Sequence, residues 1–80
     1  MASIYSDEYQ LVIKTLRDAR IARGMTQESL ARMLERPQSF VAKVESGERR
    51  IDVVEFVRIA CLLGVDPGEV VGRIAGLGQR

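Results

Sequence analysis

A chain of 80 residues that is 46% hydrophobic and 29% charged, with a net charge of +1, has the size and composition of one small globular domain. It has no histidine and one cysteine, which excludes disulfide scaffolds, histidine-based catalysis and most zinc sites, so we expect neither an enzyme nor a cofactor. The lack of a long apolar segment and of a signal-peptide pattern argues against a membrane protein and predicts a cytoplasmic one.

Two helices are predicted in the first half of the chain. The first begins after Ser6, a suitable N-cap followed by two acidic residues, and ends before Gly24. The second is short, is capped by Thr26 and is broken by Pro37. Apolar residues recur in both at helical spacing. The residues expected to face the core are Val12, Leu16, Ala19, Leu30, Ala31 and Leu34.

A third helix is predicted over residues 37–45, because proline is well tolerated at the first position of a helix. A fourth follows the capping box formed by Asp52 and Glu55. The segment behind that box, residues 53–63, is apolar almost all round, so a buried strand competes with a helix. The length of the segment, its cap and the glycine at position 64 favour the helix.

The fifth predicted helix starts at Pro67 within a second capping box, Asp66 to Glu69. Residues 76–80 are expected to fray. The expected fold is therefore all-α, with five helices and no sheet. It forms one domain that spans the whole chain, with its core at about residues 7–75 and a flexible tail behind it.

The second and third helices, joined by three or four residues, have the minimal pattern of a helix-turn-helix. They lie in the basic part of the chain, since positions 14–50 carry nine basic and five acidic residues. Polar groups on the outer face of the third helix suit base edges and phosphates, although a plain solvent-exposed face explains them equally well. Those outward residues are Gln38, Ser39, Ala42 and Lys43.

The sequence of this segment resembles a known family. It has threonine-glutamine at 26–27, leucine-alanine at 30–31 and glutamate-serine-glycine at 45–47. In this pattern it is similar to the lambda repressor-like helix-turn-helix family, also called Cro-type or XRE. The segment 53–66 looks like the fourth helix of that family. The resemblance covers about residues 16–71 and implies a DNA-binding transcriptional regulator, typically a repressor.

The resemblance implies roles for individual residues. The recognition helix, about residues 37–45, would lie in the major groove, with Gln38 touching a base. Ser39 and Lys43 would line the same face and touch bases or nearby phosphate. Gln27 would bind phosphate and brace Gln38.

Two further features follow from the resemblance. The loop after the third helix would lie along the DNA backbone, with phosphate contacts from Ser46, Arg49 and Arg50. Arg20 and Glu45 would form an internal salt bridge between the first and third helices.

The sequence departs from the family at the turn. Glu35 stands where glycine is usual, so either a glutamate takes a strained positive φ or the turn has another shape. Pro37 stands where a serine or threonine often caps the recognition helix. Phe40 is larger than usual, and it either packs on the core or offers an apolar contact to a thymine methyl group.

The remaining candidate residues have structural explanations. Cys61 lies in the apolar fourth helix and is expected to be a buried thiol. Met25 and Met33 are expected to fill the core. The carboxylates at positions 52, 55, 66 and 69 are explained by helix capping.

The expected partner is double-stranded DNA, bound by a homodimer. The fifth helix carries more apolar surface than one short terminal helix buries, which predicts dimerisation through the C-terminal third of the chain. An antitoxin or accessory protein of the same fold, acting mainly on an unidentified protein partner, is the alternative. The apolar residues of the fifth helix on which the predicted dimerisation rests are Val70, Val71, Ile74 and Leu77.

Overall fold

The computed structural model describes residues 6–78, and it is all-α over that range. This confirms the expected fold class, and the apolar fourth segment is a helix rather than a strand. The five helices are α1 (Asp7–Ala22), α2 (Gln27–Met33), α3 (Gln38–Ser46), α4 (Val53–Leu62) and α5 (Pro67–Gly78).

The helix starts follow the predicted caps. The side chain of Ser6 accepts a hydrogen bond from the Tyr9 amide at 3.2 Å, and that of Thr26 accepts one from the Ser29 amide at 3.0 Å. Asp52 and Glu55 form a complete capping box, with each side chain accepting from the backbone N–H of the other. These bonds satisfy amide groups that have no partner inside the helix.

Two helix boundaries differ from the prediction. Pro37 is the N-cap of α3 rather than its first residue, so the helix begins and ends one position later. Residues 76–78, predicted to lie in the frayed tail, continue α5 in the structure. Leu77 is half-buried there. Residues 79 and 80 of the predicted tail lie outside the described part of the chain.

The ends of α1 and α4 are joined by one side chain. Both helices terminate at a glycine with positive φ, 70° at Gly24 and 72° at Gly64, a conformation that favours glycine. The Arg23 guanidinium crosses to the second of these ends, where its Nε donates to the Leu63 carbonyl at 2.7 Å. This bond joins the C-terminal end of α1 to that of α4.

The core is apolar, and no polar or charged residue among those described is buried in it. Helix α2 packs mainly on α3, while α1 contacts both α3 and α5, and α4 packs against α5. None of the described helices is long and apolar enough to cross a membrane. The buried side chains are Val12, Ile13, Leu16, Leu30, Ala31, Phe40, Val41, Val44, Phe56, Ile59, Ala60, Leu63 and Val70.

Several expectations about burial are wrong. Cys61 is exposed, because the buried stripe of α4 passes through Phe56, Ile59 and Ala60 and leaves the next position outside. Met33 is 51% exposed for the same reason on α2, whereas Met25 packs against the core as expected.

The expected apolar surplus of α5 is smaller than predicted. Val70 is buried and Ile74 packs against the core, so neither is free for a partner. Leu77 is half-buried, and Val71 remains 55% exposed. The correction follows from the contacts of α5 with α1 and α4, which bury more of its apolar face than its terminal position suggests.

Candidate nucleic-acid interface

The turn between α2 and α3 keeps a regular helix-ending geometry in spite of its unusual residue. Glu35 has a φ of 57°. Its N–H donates to the Arg32 carbonyl at 3.1 Å, and the Arg36 N–H donates to the Ala31 carbonyl at 2.9 Å. These two bonds make a Schellman motif, which is usually built on glycine. Of the two alternatives, the strained glutamate is therefore the one that occurs.

We expect Glu35→Gly to stabilise the fold. A left-handed conformation costs a non-glycine residue about 1–2 kcal/mol, and glycine relieves this strain. Glycine also loses more conformational freedom on folding, which costs about 0.5–1 kcal/mol. The variant should therefore gain up to about 1 kcal/mol, measured by urea unfolding. Gly24→Ala is the reverse control, since Gly24 has a φ of 70° and space around it, and it should destabilise. A less stable Glu35→Gly variant would contradict this account of the turn.

The outer face of α3 carries the predicted base-contact residues. Gln38, Ser39 and Lys43 are all exposed, while Phe40 and Val41 face the core. Within residues 6–78 the side chains of Gln38, Ser39 and Lys43 have no hydrogen-bond or ion-pair partner. The outer face of α3 therefore carries three polar side chains whose donors and acceptors are not used within the described chain. Ala42, expected on the same outward face, is half-buried.

The predicted ion pair lies at the junction of α1, α2 and α3. Arg20 Nε donates to Glu45 Oε2 at 2.6 Å, and Arg20 Nη2 donates to Oε1 at 3.0 Å. The Arg20 side chain is 12% exposed and that of Glu45 10%. A third bond from Arg20 Nη1 reaches the Met25 carbonyl at 2.6 Å. This bidentate pair fixes the end of α3 on the end of α1.

Gln27 joins that pair instead of bracing Gln38. Its Nε2 donates to Glu45 Oε1 at 3.0 Å, and no hydrogen bond joins it to Gln38 in the part of the chain that the structure describes. The expected brace is wrong because the carboxylate is a charged acceptor, which forms the stronger bond. Glu45 thus orients Gln27, whose second amide hydrogen and carbonyl oxygen remain available for other hydrogen bonds.

The loop after α3 is held by aromatic and backbone contacts. Just before the loop, Ser46 is the last residue of α3, and its Oγ donates to the Lys43 carbonyl at 3.1 Å. The Arg50 guanidinium lies over the Tyr9 ring, 4.6 Å from its centroid, and the Tyr9 hydroxyl accepts from the Ile51 N–H at 3.2 Å. Ser46 and Arg50 remain exposed. The loop that carries the predicted phosphate contact Arg50 is therefore held against Tyr9 of α1.

A cluster of four side chains that sequence reasoning missed lies on the α4 side of α3. Phe40 is buried, which settles its role in favour of the core. The Arg36 and Arg49 guanidiniums lie over its ring, with their central carbons at 4.5 and 4.7 Å from the ring centroid. Glu55 accepts from both, at 3.0 Å from Arg36 and at 3.0 and 3.1 Å from the two terminal nitrogens of Arg49. We call these four side chains the Phe40 cluster.

Electrostatics within the Phe40 cluster favour its charged state. The hydrogen bond from Arg49 lowers the pKa of Glu55 below its usual value, and the backbone N–H of Asp52 lowers it further. The same pairing raises the pKa of Arg49. Arg49, predicted only as a phosphate contact, is thus also part of the fold. The one signal available in the sequence was the excess size of Phe40, which did not reveal what would cover its ring.

Comparison with known proteins identifies the domain. Residues 16–70 match the Helix-turn-helix family. A solved structure, the XRE-family like protein from Pseudomonas syringae pv. tomato str. DC3000, is 43% identical with a TM-score of 0.79, and the match covers 88% of this chain and 85% of that one. This chain belongs to the XRE helix-turn-helix family. The XRE-family fold is that of DNA-binding regulators and not of an enzyme family.

No match was found among curated proteins. The resemblance drawn from the threonine-glutamine, leucine-alanine and glutamate-serine-glycine motifs is confirmed by the matched range, which contains all three. Glu35 and the Phe40 cluster lie within or next to the helix-turn-helix of this XRE-family chain. Glu35 precedes α3 by three positions, and Phe40 lies in its first turn.

Proposed function

We propose that this XRE-family protein binds duplex DNA with sequence preference and regulates transcription, with α3 in the major groove. The observation that carries the proposal is the outer face of α3, where Gln38, Ser39 and Lys43 are exposed with unused polar groups. The major groove is wide enough to admit a helix, and it presents a distinct pattern of donors and acceptors at each base pair.

Each of the three side chains has chemistry suited to that groove. The carboxamide of Gln38 carries a donor and an acceptor side by side, which match N7 and N6 of adenine. Ser39 can donate to or accept from a base edge, and Lys43 can reach guanine or a nearby phosphate. Gln38 stands first in α3, and the N-terminal residues of a recognition helix are those that reach base edges.

The phosphate contacts would lie on both sides of that groove. Gln27, oriented by Glu45, would meet the backbone at the start of α2 with the amide hydrogen it has left. Ser46, Arg49 and Arg50 would meet it at the other end of α3, Arg49 with the part of its guanidinium that Glu55 does not occupy. Such contacts hold the register of the protein on the duplex but carry no sequence information.

We expect the active form to be a homodimer. Among the described residues, α4 and α5 expose Val54, Val57 and Val71, which a second copy would cover. A two-fold dimer spaces its two recognition helices about 34 Å apart, one turn of B-DNA. Sedimentation velocity should therefore show a dimer on operator DNA. A monomer both with and without operator would contradict the prediction.

The test of the proposed function is selection of bound duplexes from a random pool, followed by sequencing. The proposal predicts enrichment of one consensus with two related half-sites. The matched control is a variant with Gln38, Ser39 and Lys43 all replaced by alanine, which should keep the fold because none of the three is buried. If the wild-type protein enriches nothing beyond this control, the DNA proposal fails and the accessory-protein alternative gains support.

A further inference from the structure

Arg36 has no role in the interface described so far, yet it is placed beside it. It belongs to the turn between α2 and α3, two residues before Gln38, and its side chain is 44% exposed. In the described part of the chain its side chain donates one hydrogen bond, from Nη2 to Glu55 Oε2, at 3.0 Å. A guanidinium has five N–H donors, so most of its hydrogen-bonding capacity is unused.

The guanidinium of Arg36 is held in place before any ligand arrives. Its central carbon lies 4.5 Å from the centroid of the Phe40 ring, within the range of a cation–π contact. Phe40 is itself buried, so the ring is a fixed platform. A planar group kept in one orientation loses less freedom when it binds an anion, and its fork matches the geometry of a phosphate.

Glu55, the partner of Arg36, keeps its other hydrogen bonds if Arg36 moves away. Glu55 is only 13% exposed, and it also accepts two hydrogen bonds from Arg49 and one from the backbone N–H of Asp52. These three bonds stay in place if Arg36 turns away. The Arg36 bond is thus the exchangeable one in the Phe40 cluster, since a single bond joins Arg36 to Glu55 whereas two join Arg49 to it.

We propose that Arg36 is a further contact to the DNA backbone, and that Glu55 holds its guanidinium in the free protein as a stand-in for phosphate. On binding, a phosphate oxygen would replace Glu55 Oε2 as the acceptor for Arg36. Because every duplex offers phosphates, competition from Glu55 would lower the affinity for all sequences. This inference rests on the proposed function and adds to it a contact residue and an internal competitor.

The test uses fluorescence anisotropy with a labelled duplex of arbitrary sequence, titrated at several salt concentrations. Glu55→Gln removes the charge of the competitor but keeps the capping box, in which glutamine also serves. Arg36→Ala removes the proposed contact. Lys14→Ala and Asp18→Asn are matched controls, because they break an exposed ion pair of the same signs on α1, at 2.6 Å. Thermal melting of each variant verifies that it is folded.

Arg36→Ala should weaken binding about 3- to 10-fold and make the log–log salt slope shallower by about 1 for each bound protomer. Glu55→Gln should strengthen binding about 2- to 5-fold. In the Arg36→Ala background the gain from Glu55→Gln should be clearly smaller than in the wild-type protein, because Glu55 then competes only for Arg49. If Glu55→Gln fails to fold, the Arg36→Ala and Lys14→Ala comparison still decides whether Arg36 is a contact.

Three results would overturn the inference. Arg36→Ala could behave like Lys14→Ala, Glu55→Gln could gain no more affinity than Asp18→Asn, or Glu55→Gln could strengthen binding equally without Arg36. In each case the wild-type protein still binds, so the proposed function survives. A wild-type protein that binds no duplex would instead overturn the proposed function, and this inference with it.

Discussion

Glu45→Ala should lower the melting temperature by more than about 10 °C. The side chains of Glu45 and Arg20 are 10% and 12% exposed, and two hydrogen bonds join them. Removing one partner of such a pair leaves a nearly buried charge uncompensated, at a cost of about 3–5 kcal/mol. In a domain of this size each kcal/mol shifts the melting temperature by about 4–8 °C. Gln27 loses its acceptor in the same variant.

The control for this prediction is Lys14→Ala. Lys14 and Asp18 are paired at a similar distance, but their side chains are 75% and 58% exposed, and surface pairs contribute little to stability. Melting curves of both variants, measured by circular dichroism, show whether the loss of a nearly buried ion pair lowers the melting temperature more than the loss of an exposed one. If Glu45→Ala melted like Lys14→Ala, the pair joining α1 and α3 would have no structural role.

Gln38→Ala should cost about 1–3 kcal/mol of binding free energy on the preferred duplex and relax the choice of base at one position. The reason is the loss of a paired donor and acceptor from the first position of α3. The fold should be unaffected, since Gln38 is exposed and its side chain is bound to no other described residue. Selection from a random pool, repeated with the variant, measures the change in preference.

Lys43→Ala provides the comparison. A lysine that meets mainly phosphate should weaken binding to all duplexes alike, without changing the selected consensus. If Gln38→Ala selects the same consensus as the wild-type protein, Gln38 is not a base reader. The positive φ of Glu35 and the proline cap at position 37 would then have turned the start of α3 away from the bases.

Local chemistry explains why the helices were predictable. The caps at Ser6, Thr26 and Asp52 act on amides only three residues away, so their effect is visible in a short stretch of sequence. The same holds for the breaks at Gly24 and Gly64, which need positive φ. The pair of Arg20 and Glu45, separated by 25 positions, was reached only through the family resemblance.

The errors concern contacts between distant elements. Hydropathy marked Cys61 and Met33 as core residues, but the facing of α4 and α2 depends on neighbours that the local pattern does not specify. The Phe40 cluster was invisible for a related reason. Its charges come from the α2–α3 turn, the loop after α3 and the first turn of α4, and only the packed fold brings them to one ring. The brace between Gln27 and Gln38 was expected from the family resemblance. Gln38 and Glu45 both lie on α3, and only the packed fold shows that it is Glu45 that Gln27 reaches.

The most direct measurement of the central claim is the affinity for duplex DNA as a function of salt concentration. Each phosphate neutralised by a lysine or arginine releases counterions and contributes about −0.9 to the slope of log affinity against log salt. Three basic residues lie in or after α3, namely the exposed Lys43 and Arg50 and the half-buried Arg49. We therefore expect a slope of several units for a dimer. An affinity that stays flat from low to moderate salt would contradict DNA binding by this face.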